Sequence, residues 1–86
     1  MTQYIGLSVD LQAQAGYVRY RSLPAGERAR SKRISEDVVA DCRENGELLG
    51  VELLALDDDA MAQARDFATK HDLAFPRDLS SALAPS

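Results

Sequence analysis

From residue 38 to 54 the chain reads VVADCRENGELLGVELL, two runs of alternating apolar and polar positions on either side of Asn45-Gly46. A period of two marks a half-buried strand. Asn-Gly is the favoured pair for a two-residue type I′ turn, because both central residues need φ > 0. A turn centred there predicts a β-hairpin in which Glu44 faces Glu47, Cys42 pairs with Leu49, Ala40 with Val51 and Val38 with Leu53. Six apolar side chains then share a core face. The other face carries Val39, Asp41, Arg43, Leu48, Gly50, Glu52 and Leu54, a mixed set suited to a partly solvated side.

Residues 3–9 alternate as well, with Ile5, Leu7 and Val9 on one side and Tyr4, Gly6 and Ser8 on the other, and predict a first strand. Residues 16–21, GYVRYR, return to β-branched and aromatic types and predict a second. Pro24 and Gly26 mark a loop, and residues 27–34 lead into the hairpin as a third strand. Its facing has two solutions. Ile34 shares parity with Arg28, Arg30 and Lys32, so either a bulge or bend re-aims it, or Ala29 and Ser31 face inward with the basic side chains outward near Asp41 and Glu52.

After Leu54 the period lengthens. Asp57, Asp58 and Asp59 suit the positive end of a helix macrodipole, and Lys70 and His71 suit the negative end, so a helix is predicted over 57–71. Ala60, Met61, Ala64, Phe67, Ala68 and His71 fall on one face of it, and Arg65, Asp66, Thr69 and Lys70 on the other. Phe75-Pro76 breaks any continuation. The pattern therefore predicts an α+β domain over residues 1–72: an antiparallel β-meander of four to five strands over 3–54 and one packed C-terminal helix. Residues 73–86 are expected to form a loosely ordered tail.

Composition narrows the class. An 86-residue chain with 45% hydrophobic and 28% charged residues is expected to fold as one modest soluble domain. One cysteine excludes an internal disulfide, the first residues carry no basic leader with a long apolar run, and no stretch approaches roughly 18 consecutive apolar residues. A cytoplasmic, non-membrane protein is expected. The net charge of −4 is unevenly laid out, at +4 over residues 1–33 and −8 over 34–86. Arg19, Arg21, Arg28, Arg30, Lys32 and Arg33 fall within fifteen positions and form a candidate interaction surface.

Candidate chemistry is sparse. Cys42 and His71 are the only nucleophile and base of the usual kind, but Cys42 is expected on the core face and His71 at a helix end, where structural roles suffice. The run Asp57 to Asp59 lacks the alternating acids and turn glycine of a calcium loop and is better suited to helix capping. Asp41 and Glu52 lie diagonally on the hairpin's outer face with no predicted cleft around them. Tyr17, Arg19, Tyr20 and Arg21 beside the later basic residues could stack bases and neutralise phosphates, but Tyr17 and Tyr20 have opposite parity. No catalytic group, metal or cofactor site is expected.

Three stretches, Val9-Asp10, AQAGYVRY over 13–20 and VVADCRENGELLGVELL over 38–54, resemble the bacterial and phage domain-of-unknown-function family numbered 2283. That family reads as an early Tyr-Asp, then Ala-Asp-x-x-Tyr-Ile-x-Leu, then a hairpin of the form Val-x-Val-Asp-x-Asp-x-x-Gly-x-Leu-Val-Gly-Ile-Glu-Ile-Leu. Asp10, Tyr17, Asp41, Gly46, Gly50 and Glu52 occupy motif positions. Val9 replaces the Tyr, Gln14 the Asp, and Cys42 and Arg43 stand where the family prefers an aromatic and an acid. The resemblance implies a compact β-meander domain and carries no catalytic residues. It also implies, for some members, companionship with small toxin-like proteins.

The resulting expectation is a non-enzymatic protein-interaction module that self-associates as a dimer. Two alternatives stand beside it: an antitoxin-like partner that neutralises a small basic protein through the acidic half, 36–78, and a weak nucleic-acid binder through the basic segment, 19–33.

Overall fold

The computed structural model describes residues 1–79. Five strands, β1 (Gly6–Asp10), β2 (Ala15–Arg19), β3 (Arg30–Ser35), β4 (Val38–Cys42) and β5 (Leu48–Leu53), precede one helix, α1 (Asp58–Lys70). The strands make one antiparallel sheet in the order β1-β2-β5-β4-β3. The β1-β2 hairpin and the β3-β4-β5 meander are thus joined by pairing of β2 with β5, and residues 20–29 carry the chain to the far edge. This is the α+β class that the alternating pattern predicts.

Register explains the core. Leu7, Val18, Val51, Ala40 and Lys32 pair successively across all five strands, so one cross-sheet row runs through four apolar residues and ends on a lysine. The apolar members Val18, Val51 and Ala40 are buried, as are Val38 and Leu53 in the neighbouring row. Ala60, Ala64, Phe67 and Ala68 of α1 close over them. Small alanines let the helix approach the sheet, while Phe67 supplies the volume that they lack. Ile5, expected beside Leu7 and Val9, is instead 62% exposed, and Tyr4 packs against the core. The main-chain N–H of Ile5 donates to the Arg19 carbonyl, outside the pairing frame that sets Gly6 against Arg19.

The β4-β5 hairpin keeps its predicted pairing for Val38 with Leu53 and Ala40 with Val51, but by another route. Gly46 has φ 91° and donates to the Arg43 carbonyl, while Arg43 N–H donates to Glu47. Asn45 is not left-handed; its side chain accepts from Glu47 N–H instead. The connection is therefore a three-residue loop, a turn followed by a left-handed glycine, and not a type I′ turn. Arg43 now faces Glu47, and Cys42 pairs with Leu48. A bulge at Leu49 takes up the one-residue offset. Two irregularities cancel, because the apolar pairs beyond the bulge hold the register that buries them.

A bulge interrupts β3, but it does not re-aim Ile34. Arg33 pairs with Val39 and Ser35 with Val38, which leaves Ile34 as the extra residue; it keeps the face of Arg30 and Lys32, which stand opposite Cys42 and Ala40, and the bulge brings Ser35 to the helix side, where its hydroxyl donates to Gln63. The inward placement of Ser31 is not observed: it faces Asp41 on the outer side.

Asp57 caps α1 by accepting from Ala60 N–H, and Asp58 and Asp59 occupy the first turn. At the other end Asp72 is left-handed (φ 54°), with Leu73 N–H bonded to the Ala68 carbonyl and Asp72 N–H to that of Thr69. This crossed pair terminates the helix at Lys70, six residues before Pro76, and turns the chain back toward the sheet. The expected Asp66–Lys70 ion pair forms at 3.0 Å on the exposed face.

Residues 73–79, expected to be loose, pack against the domain. Leu73, Pro76 and Leu79 are buried. Leu73 bridges to Thr2, whose N–H donates to the Asp72 carbonyl and whose carbonyl accepts from Ala74 N–H, and the buried Tyr20 hydroxyl donates to the Ala74 carbonyl at 2.7 Å. Leu79 lies directly over Gly16. The remainder of the expected tail, residues 80–86, lies outside the described residues. Truncating a buried leucine typically costs a few kcal/mol, so Leu79→Ala is expected to lower the unfolding free energy by about 2–3 kcal/mol. Chemical denaturation checks this, and a loss below about 0.5 kcal/mol, the range of surface substitutions, would contradict the docking.

Candidate functional site

Helix α1 rests on β4 and β5 and leaves most of β3 bare. Beside the helix the uncovered sheet forms a cleft of about 670 Å³. Its floor is apolar: Ile34, Ala40, Cys42 and Leu48 from the sheet, Phe67 from the helix and Leu73 from the returning chain. Its rim is mostly cationic, with Arg21, Arg30, Lys32 and Arg43 around the opening against one acid, Glu44, and with the His71 ring 4.3 Å from that of Phe67 between centroids.

These cations are not equivalent. Arg43 grips Glu27 with two hydrogen bonds of 2.8 and 3.0 Å and also reaches Glu47 at 3.3 Å. The guanidinium holds the Glu27 carboxyl below its ordinary range, and the two acids raise the pKa of Arg43 further above its ordinary value. Arg21 lies 3.6 Å from Glu47 and donates to the Leu48 carbonyl. Both charges are locally balanced, and they fix the 20–29 connection to the hairpin end. Arg30 and Lys32 are exposed and form no ion pair among the described residues. They are the unpaired cations of the cleft and outnumber its one unpaired acid, Glu44.

The six-residue basic cluster is thereby divided. Arg21, Arg30 and Lys32 border the cleft; Arg28 is exposed on the loop before β3; Arg19 and Arg33 belong to the opposite face, where Arg19 sits 5.2 Å from the Tyr17 ring centroid and Arg33 donates to the Glu36 carbonyl. Arg43 and Phe67 complete the cleft without having been singled out for it. Parity assigns Arg43 to the outer face, and only the three-residue turn and the helix position bring it to the rim.

On the outer face Tyr17, Asp41, Gly50 and Glu52 come together. Tyr17 lies across β5, where a Cβ at Gly50 would clash with its ring and hydroxyl. That hydroxyl donates to Asp41 at 3.1 Å, and Ser31 donates to the other Asp41 oxygen at 2.7 Å. Glu52 pairs with Tyr17 in the register. Asp10 works elsewhere, capping the β1-β2 turn through Gln12 and Ala13 N–H. Asp41 is thus tied to a tyrosine and a serine rather than to the basic side chains of β3. Burial, with the Asp41 carboxylate beside it, pushes the Tyr17 pKa up to about 12. Tyr20 also reaches about 12, first through burial and then through Tyr4.

Cys42 and His71 both border the cleft, yet no hydrogen bond joins them among the described residues, and Cys42 belongs to the apolar floor. Asp57 is engaged as a cap, and among the described residues no three acidic, histidine or cysteine side chains converge as a metal site requires. Tyr20 is 3% exposed and is not available for base stacking. No described helix is long and apolar enough to cross a membrane. Searches of family models, curated proteins and solved structures found no match.

The two tyrosines set an alkaline limit. A tyrosine whose pKa is raised on folding supports the fold fully below its ordinary value near 10, and that support is lost as the pH climbs through about 12. Gly50→Ala must displace Tyr17, which costs about 1–3 kcal/mol by overpacking and returns that tyrosine toward ordinary titration. Denaturation and tyrosinate absorbance check both, and an unchanged titration in the alanine variant would contradict the contact.

Proposed function

We propose that this protein is a non-enzymatic interaction module that receives an acidic segment of a partner protein in the cleft beside β3. One observation carries the proposal: an apolar floor lies beneath two cations, Arg30 and Lys32, that have no acid of their own among the described residues. A ligand with carboxylates and an apolar anchor complements both parts. Charge supplies orientation and encounter rate, and apolar burial supplies affinity. Nucleic acid is the weaker candidate, since the chain is acidic overall and the expected aromatic pair is split by the burial of Tyr20. Neutralisation of a basic protein is weaker still, because Asp41, Glu47, Asp57 and Asp66 already have local partners.

Displayed random peptides selected on the wild-type protein are expected to enrich acidic sequences with an apolar residue. Selection on the Arg30→Glu, Lys32→Glu double variant is expected to lose them. Enrichment of basic peptides, or enrichment indifferent to the charge reversal, would contradict the proposal.

Self-association as a dimer is a second function, favoured by the contrast between the two sheet edges. Strand β1 carries one charge, Asp10 at its end, and follows the exposed Ile5; β3 carries Arg30, Lys32 and Arg33. Charged edges resist self-pairing and uncharged ones invite it, so a second copy is expected on β1. Sedimentation over a wide concentration range should give a dimer that Ile5→Lys weakens at least tenfold. A monomer throughout, or a dimer indifferent to the lysine, would rule this contact out.

A further inference from the structure

The cleft is open along one side because β3 has a neighbour on one edge only. We infer that its occupant is an extended acidic segment of a partner protein that pairs with β3 as a sixth strand. This inference rests on the cleft as the docking site for an acidic segment, and it adds the mode of binding.

Strand geometry supplies the argument. Arg30 and Lys32 are two residues apart, which puts both on the cleft side of the sheet, opposite Cys42 and Ala40. On the other side of the same strand Ser31 is held by Asp41, and Arg33 by the Glu36 carbonyl. The cleft side of β3 thus carries two unpaired cations against Arg33 alone on the other face, and the two repeat at every second residue, the repeat of a neighbouring strand. Carboxylates at two-residue spacing on an added strand would stand beside Arg30 and Lys32. The next residue on that face would reach the apolar floor at Ile34, which follows Lys32 by two residues on the same side. Main-chain hydrogen bonds to the bare edge would give affinity, and the alternate side chains would give specificity. The same charges exclude a second copy of β3, since antiparallel self-pairing would bring cations together. Strand β3 thus repels its own kind and selects an acidic strand.

The test uses a blocked peptide, Val-Thr-Glu-Thr-Glu-Thr-Val, whose palindromic order serves parallel and antiparallel pairing alike. Fluorescence anisotropy measures its binding to the full chain, to the Arg30→Glu, Lys32→Glu variant, and after backbone N-methylation of the threonines, of the glutamates, or of both sets together. Successive amides of a strand point to opposite edges, so a peptide with one set methylated can still pair by reversing its direction, whereas one with both sets methylated cannot. The expected result is at least a tenfold loss for the doubly methylated peptide, near-parent affinity for at least one single set, and loss of binding in the charge-reversed protein. If the parent peptide binds and the charge reversal abolishes it, yet the doubly methylated peptide binds as the parent does, strand pairing is overturned and the cleft remains a docking site. If the parent fails to bind, or binds the charge-reversed protein equally well, the cleft itself is refuted.

Discussion

One helix has to cover a five-stranded sheet, and it is too narrow to do so. A helix with its side chains is about 10 Å across and strands lie about 4.8 Å apart, so one helix shelters roughly two strands. Helix α1 lies on β4 and β5. The returning chain at 73–79 adds Leu73 and Leu79 to the core and covers Gly16 of β2. Nothing comparable among the described residues covers β3, and the row of apolar side chains that crosses the sheet ends there on Lys32. Cleft, cationic rim and bare edge all follow from that shortage of cover.

The other face is organised by a single close approach. With no Cβ at Gly50, the Tyr17 ring crosses β5 and reaches Asp41 on β4. Asp41 in turn receives Ser31 from β3, so one carboxylate ties together side chains from three strands. A partly buried network in which every polar group is met favours one arrangement of the sheet over its slipped alternatives. Among the described residues no buried side-chain polar atom is left without a partner.

Elements with strong periodicity were legible in the chain alone. The alternation over 38–54 predicts the buried pairs Val38–Leu53 and Ala40–Val51, and three aspartates followed by spaced alanines predict α1 almost to the residue. Asn-Gly misleads about the turn, because its preference for two left-handed residues gives way to a glycine alone, and the bulge at Leu49 hides the difference from the core. The docking of 73–79 left little signal, since it depends on an aspartate adopting the conformation usually taken by glycine and on Tyr20 reaching a carbonyl 54 residues away. The basic run was visible as composition, but its division between two faces depends on register. The cleft depends on where the helix stops, which is a property of packing and not of any local stretch.

The central claim is that the uncovered side of β3 is where this protein meets an acidic partner. Mapping amide chemical shifts during titration with the palindromic acidic peptide tests it most directly. The perturbed amides should be those of Arg30 to Ile34, Cys42 and Leu48, with His71 and Leu73 at the far wall, and β1 should remain still. Perturbations gathered on β1 or on the Tyr17 face, or none at concentrations where the peptide is bound, would contradict it.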